Sequence, residues 1–285
     1  MKLKLALLSF GSVVGAAFAQ TPSVHENAPA TAAAPAGDSD AEIVKKLSNP
    51  VSKLISLPFQ NNFDFGAGPS GDGFQYKLNV QPVYPADLTE DLHLITRVIL
   101  PFIHQEDVIA NGSSQSGLSD TNVTLYFAPA TEPGALTWGV GPVFLLPTAT
   151  DDLLGTEKWS AGPALVVLKQ TDAGITAGAL LTQAWSFAGA DDRADVNQSI
   201  LQPFFSYATP GHTTYTINSE SVYDWTAEHW TVPFNLEVSQ LVRVGKMPVS
   251  FQLGYRYYAE KPDNGPDWGL RFSVTLVLPA PGGGR

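Results

Sequence analysis

Trp268-Gly-Leu-Arg-Phe-Ser-Val-Thr-Leu-Val-Leu-Pro279, the last regular stretch of the chain, decides the fold class. Trp268, Leu270, Phe272, Val274, Leu276 and Leu278 form one unbroken apolar row, with Gly269, Arg271, Ser273, Thr275 and Val277 between them. A period of two assigns the two sets to opposite faces of a β-strand. A soluble barrel or sandwich buries such an apolar row, whereas a membrane barrel turns it outward to lipid and keeps polar groups in the lumen. The strand is compatible with both, so the rest of the chain has to choose.

Composition favours the second. Hydrophobic residues make up 44% of the chain and charged residues only 15%, against roughly 25% charged in water-soluble domains. There are 16 basic and 27 acidic residues, a net charge of −11. An acidic balance of this size argues against nucleic acid as a partner. The absence of cysteine closes off disulfides, cysteine–zinc sites, thiol catalysis and a lipid-anchored N-terminus.

At the N-terminus, Lys2 and Lys4 precede an apolar run, Leu5 to Ala16, and a small-x-small site, Ala17-Phe18-Ala19. This pattern is a secretory signal peptide over residues 1–19. Its removal takes away Lys2 and Lys4 and moves the net charge from −11 to −13. Residues 20–40 are rich in Ala, Pro and Thr and are expected to form a disordered linker. Ile43, Val44, Leu47, Val51, Leu54 and Ile55 recur at helical spacing, which predicts a short amphipathic helix over 41–57 that Pro50 breaks or kinks.

From 58 to 279 alternating runs are separated by clusters of Gly, Pro, Asp and Asn. They predict twelve strands, at about 59–67, 74–84, 92–104, 119–129, 136–147, 158–169, 174–186, 196–208, 213–222, 230–242, 248–259 and 267–278. Their lengths suit tilted membrane strands, which need roughly 9–11 residues to cross the hydrocarbon. The connections alternate. One end of the strands carries GPSGDG, QEDVIANGSSQSGL, TATDDLLGTE, FAGADDRADV, YDWTAEH and EKPDNGP, the other PADLTED, ATEPGA, QTDAG, TPGH and RVGKM. Long acidic loops at one end and short turns at the other are the habit of outer-membrane barrels. Phe74, Phe102, Trp159, Trp185, Trp230, Tyr257 and Trp268 fall at the long-loop ends, and Tyr84, Phe127, Trp138 and Tyr207 at the short-turn ends, as two interfacial aromatic girdles require. The fold class read from these features is all-β, an antiparallel up-and-down transmembrane barrel with a short N-terminal helix and a flexible tail over 280–285.

With the apolar faces turned to lipid, the opposite faces place Asp64, Lys77, Arg97, Glu237, Arg256 and Arg271 in the lumen, near the seam where first and last strands meet. Such a strip suits a selectivity constriction for anionic or polar aromatic solutes. It equally suits a salt-bridge ladder that fills a narrow barrel. Loop residues Glu106, Asp107, Asp151, Asp152, Asp191, Asp192 and Asp195 lack the spacing of a calcium loop and read as a solvated acidic face. His212 lies near Ser219 and Ser221, but no Ser–His pair with an orienting acid is identifiable. Nothing in the sequence calls for a cofactor, a metal or an enzymatic role.

Several stretches carry a resemblance: Asn49-Pro50-Val51 leading to Leu57-Pro58-Phe59-Gln60-Asn61-Asn62, Gly117-Leu118-Ser119-Asp120, Gly141-Pro142 with Pro147-Thr148, and Gly155-Thr156 with Lys158-Trp159 and Gly162-Pro163. Gln202-Pro203-Phe204, Trp230 with Val232-Pro233, and Trp268 with Leu270-Arg271-Phe272 extend it. From Asn49 to Pro279 the chain resembles the bacterial outer-membrane barrel family labelled for a MetA pathway of phenol degradation, whose members are often misnamed neuromedin U. The resemblance implies an outer-membrane barrel of a Gram-negative bacterium that passes small, often aromatic, solutes. Its partners would be membrane lipid, the solute and the barrel-assembly machinery. The alternative is a closed structural or binding barrel that works through its acidic outer loops. One departure is the end of the chain, where Leu278-Pro279 runs on into APGGGR instead of closing on an aromatic residue.

Overall fold

A computed structural model of the chain describes residues 38–131 and 134–279. The expected signal peptide, most of the expected linker and the expected tail lie outside the described residues. Fifteen strand segments follow one helix, α1 (Asp40–Leu47): β1 (Ile55–Ala67), β2 (Gly73–Val80), β3 (Val83–Asp87), β4 (Leu92–Glu106), β5 (Ser114–Leu118), β6 (Thr121–Pro129), β7 (Leu136–Leu146), β8 (Lys158–Gln170), β9 (Ile175–Gly189), β10 (Asn197–Ala208), β11 (Thr213–Ser219), β12 (Ser221–Asp224), β13 (His229–Val244), β14 (Met247–Glu260) and β15 (Trp268–Leu278). β2 with β3, β5 with β6, and β11 with β12 are each one strand interrupted, so the segments make twelve strands. Each is antiparallel to its sequence neighbour, and β1 pairs with β15 from Ile55↔Leu278 to Phe65↔Trp268, closing the barrel. Closure leaves no unpaired sheet edge.

The two faces of the sheet follow the alternation. On β15, Trp268, Leu270, Phe272 and Leu278 are exposed on the outside, while Arg271 and Ser273 are buried within. The same inversion runs round the barrel, with Leu236, Phe234, Leu253, Tyr255, Leu181, Leu201, Phe205 and Leu165 all exposed outward. The aromatics expected at the strand ends are exposed as well, except Phe74, which is half-buried against Phe65.

Three strands depart from the uninterrupted runs expected of them. The expected strand 74–84 breaks at Gln81-Pro82, where proline has no N–H to give to the ladder. The expected strand 119–129 starts earlier, at Ser114, because much of the long connection 105–118 folds back as a hairpin extension of β4. It also carries an extra residue: Phe102 pairs with Leu118 but Ile99 with Asn122. This bulge turns the Asp120 carboxylate toward the 147–157 loop, where it accepts the Thr156 N–H at 2.7 Å and the Thr156 hydroxyl at 2.6 Å. Two stretches of the family resemblance, Gly117–Asp120 and Gly155-Thr156, thus meet as a clasp on one loop. The third break is at Glu220, taken up below.

Prolines shape the wall at β7 and β8, where Pro142 lies opposite Pro163. Between β6 and β7 the pairing lapses from Thr124↔Val143 to Phe127↔Val140, and the Leu125 carbonyl moves into the space that a Cβ on Gly141 would occupy. The Gln183 carbonyl does the same at Gly162. A side chain at either glycine would have to displace backbone. Gly141→Ala is therefore expected to lower the yield of folded barrel several-fold, read as the fraction that keeps its compact, heat-modifiable migration on a gel. Ala164→Gly in the same wall removes one methyl and should cost only about 1 kcal/mol.

The helix is shorter than the expected 41–57. α1 has a capping box in which the Ser39 hydroxyl accepts the Glu42 N–H and the Glu42 carboxylate accepts the Ser39 N–H. It ends at Leu47, before Pro50, and the chain then turns on Asn49, whose side-chain oxygen accepts the Val51 N–H at 3.0 Å. The first strand consequently begins at Ile55, four residues before its expected start.

Candidate functional site: a closed lower mouth and an ionic belt

The N-terminal segment 40–54 sits across the short-turn mouth of the barrel. Ile43, Val44 and Leu54 are buried against Leu241 of β13 and Val277 of β15. Val51 packs into a second apolar cluster with Ile95, Tyr126, Ala128, Val143, Ala164, Val166, Leu168 and Leu180, supplied by β4 and β6 to β9. Polar contacts ring the segment. Asp40 accepts from Arg243 Nε at 2.8 Å, Lys53 pairs with Asp87 at 2.7 Å, and Gln170 Nε2 donates to the Lys45 carbonyl at 2.8 Å. The segment therefore touches opposite sides of the wall and spans the opening. The Ser39 N–H and hydroxyl hold the Glu42 carboxyl below the usual carboxylate range, which keeps the cap ionised.

Above this plug the interior is divided. On the side of β4 through β9 the lower wall is mainly apolar, formed by the Val51 cluster, with Arg97 of β4 beside it. The wall from β11 round to β2 carries the paired charges. Of the six residues expected to line the lumen, Asp64 on β1, Glu237 on β13, Arg256 on β14 and Arg271 on β15 fall in one network. Arg271 donates from Nη1 and Nη2 to the two oxygens of Glu220, each at 2.9 Å, and from Nη1 to Glu237 at 2.9 Å, while Nε donates to Asn62 Oδ1 at 2.7 Å. Arg256 donates from Nη2 to Glu220 at 2.8 Å and from Nε to Asn235 Oδ1 at 2.9 Å, with Asp64 at 3.4 Å from Nη1. Asn218 Nδ2 donates to Glu237 at 3.0 Å. The arginines are 7% and 4% exposed, and their planar forks suit this paired geometry.

Lys77 and Arg97 stand outside that network. Lys77 lies beside Asn62 on β2 and forms no ion pair among the described residues. Arg97 lies lower, level with Val83 and Thr124, and donates to Gln81 Oε1 at 2.9 Å. The residue absent from the expected set is Glu220, which bridges both arginines. It sits at the break between β11 and β12, flanked in the neighbouring strand by Pro233 beside a bulge at Val232. The alternation of Asn218 and Glu220 against outward Tyr215 and Ile217 would have placed it inside.

Between the plug and the belt lies a cavity of about 340 Å³. Its floor is Leu47 to Pro50 and its sides include Arg97, Leu180, Phe204, Gln202, Gln252 and Glu237. His212 reaches the same cavity, but the hydroxyls of Ser219 and Ser221 hydrogen-bond to each other, 2.7 Å apart. At the long-loop end Asp195 pairs with Lys158 at 3.0 Å, which together with the Ser186 hydroxyl keeps its carboxyl below the ordinary range. Among the described residues no group of three His, Asp or Glu is placed to hold a metal ion.

No protein-family model matches the sequence, and no curated protein sequence matches it. Solved structures do match in fold. An outer membrane channel from Pseudomonas putida F1 superposes with a TM-score of 0.63 at 15% identity, over 79% of this chain and 94% of that one. The NanC porin superposes with a TM-score of 0.51 at 12% identity, over 78% of this chain and all of that one. The outer membrane phospholipase A from Escherichia coli reaches 0.46 at 11% identity, a likeness too loose to carry an argument. The first two similarities establish the fold of a bacterial outer-membrane barrel.

Proposed function

We propose that the chain is a narrow passive channel of a Gram-negative outer membrane, gated from the periplasmic side by residues 40–54, and a member of the family labelled for a MetA pathway of phenol degradation. The reading includes export through the signal peptide at 1–19 and insertion by the barrel-assembly machinery. It gives the acidic long loops to the cell exterior. The observation that carries it is the combination of an apolar exterior with a lumen that contains a cavity between the N-terminal segment seated in the mouth and the ionic belt. A barrel that only fills its interior has no need of a separate segment seated in its mouth. The similarity in fold to an outer membrane channel and a porin supports the same reading.

In this reading Asp64, Lys77, Arg97, Glu237, Arg256 and Arg271, with Glu220, set the preference of the pore. If all seven are ionised they sum to one surplus positive charge, which favours anions over cations. No enzymatic role is assigned: among the described residues Ser219 and Ser221 hydrogen-bond to each other and neither hydrogen-bonds to the His212 ring. The closed-barrel alternative differs in a measurable way. Liposomes carrying the purified protein should swell slowly in small sugars such as arabinose, well above protein-free liposomes and well below a wide porin. Absence of swelling from both the whole protein and a variant lacking residues 38–54 would eliminate the channel and leave the closed barrel.

A further inference from the structure

The lumen cations are not equivalent. Arg256 and Arg271 are occupied by Glu220, Glu237, Asp64, Asn235 and Asn62. Lys77 does not line the cavity. Arg97 does, and its one hydrogen bond among the described residues is to the amide oxygen of Gln81. No carboxylate of the described residues lies within ion-pair distance of it. A guanidinium has five N–H donors in a planar fork that fits a carboxylate through two parallel bonds. Most of that capacity is free, and it is free inside a cavity.

The rest of the Arg97 environment is fixed. Gln81 is buried and donates from Nε2 to Gln60 Oε1 at 3.0 Å, and Asn79 donates to the same oxygen at 3.1 Å. This relay commits the Gln81 amide nitrogen to Gln60 and leaves its oxygen to orient the guanidinium. The cavity is also lined by Val83, Leu180 and Phe204, which pack on or belong to the apolar cluster beneath. Phe204 is on β10, five strands round the wall from Arg97 on β4. The cavity thus offers a held cation and an apolar surface on different sides of one chamber.

We propose that this chamber is a binding site for a small amphipathic monocarboxylate, its carboxylate on Arg97 and its apolar body against Leu180 and Phe204. A simple inorganic anion would use the cation and leave the apolar surface unused, and a neutral apolar solute would do the opposite. The proposal rests on the reading that the lumen admits solutes, and it adds a substrate class to that reading. In a passive channel such a site concentrates its solute locally while remaining weak enough to release it.

The experiment is calorimetric titration of the full chain in detergent with three probes: cyclohexanecarboxylate, cyclohexylmethanol, which has the body without the charge, and acetate, which has the charge without the body. Cyclohexanecarboxylate should bind at least about ten-fold more tightly than either, and Arg97→Gln should weaken it by about ten-fold or more, the scale of a charge-assisted pair. Arg97→Lys should recover part of the loss, and Leu180→Asn should weaken cyclohexanecarboxylate while sparing acetate. Both Gln and Lys variants are checked for heat-modifiable migration, so loss of binding is separated from loss of fold. No cyclohexanecarboxylate binding to the folded whole chain, equal binding of all three probes, or unchanged binding by Arg97→Gln each overturns the proposal. Binding with no liposome swelling would overturn the channel and keep the site, whereas swelling with no preference among the probes would do the reverse.

Discussion

Removing residues 38–54 should raise solute flux through the barrel by about an order of magnitude, since a lumen of twelve strands lies between eight-stranded barrels filled by side chains and the water-filled pores of sixteen. The measurement is liposome swelling at matched protein content. The ion pairs and the apolar contacts of the segment contribute unequally. Arg243–Asp40 and Lys53–Asp87 have side chains between 31% and 59% exposed, and exposed pairs are worth about 0.2–1 kcal/mol each. Ile43, Val44, Val51 and Leu54 are all nearly inaccessible, and full burial of such side chains is worth about 1.5–3 kcal/mol each. Apolar docking is therefore the latch. Val51→Asn, which puts an amide among Ile95, Tyr126 and Val166, should weaken the docking by about 1–3 kcal/mol and raise flux part of the way toward that of the deletion. Arg243→Gln or added salt should change flux less than two-fold, on the scale of an exposed pair. Equal flux from the whole chain, the deletion and Val51→Asn would show that the segment is not the gate.

The apolar row of β15 was legible because nothing interrupts it. The same holds for the twelve strands, whose turns are marked by Gly, Pro, Asp and Asn and whose faces follow from period two alone. Features that depend on one residue out of step were not legible. Pro82 breaks a strand that its alternation carries straight through. The extra residue before Thr121 keeps an apolar–polar rhythm on either side of it, so only the pairing with β4 reveals the bulge. The helix ended early because Asn49 supplies a turn that helical spacing of apolar residues does not register.

The interior was legible by side and not by height. Alternation assigns a residue to the lumen face, and on that basis Asp64, Lys77, Arg97, Glu237, Arg256 and Arg271 form one strip. The barrel tilts its strands, so height follows from register, which brings Arg271 level with Asn62 and leaves Arg97 level with Val83 and Thr124. A single charged strip therefore resolves into a belt of paired groups and a separate cation in the cavity below. Glu220 was within reach of the same alternation. It lies between two serines at the end of a short strand, where a polar run of three, Ser219-Glu220-Ser221, hides which residue faces in.

Glu220→Gln should cost more stability than loss of either other belt carboxylate, and it should also shift the ion preference. Glu220 takes three hydrogen bonds from two arginines. Glu237 takes one from Arg271, and Asp64 stands 3.4 Å from Arg256. Neither remaining carboxylate can replace the lost one, because each is fixed to its own strand of the wall. Removing one partner of a buried ion pair costs about 3–5 kcal/mol, most of it the desolvation left uncompensated on the survivor. The Glu220 side chain is 32% exposed to the lumen, so water recovers part of that cost and the lower end of the range applies. The change also takes the surplus positive charge of the seven lumen residues from one to two, which moves the reversal potential in a salt gradient toward the anion. Glu220→Gln combined with Arg256→Gln returns the surplus to one, so it should restore the ion preference and recover part of the stability, as coupled groups do in a double-mutant cycle. Urea unfolding in detergent and bilayer reversal potentials read the two effects independently. If the single variant matches the parent in both, Glu220 does not bridge the arginines. If stability falls while the reversal potential stays fixed, the belt is a structural fastening and the ion preference is set elsewhere along the lumen.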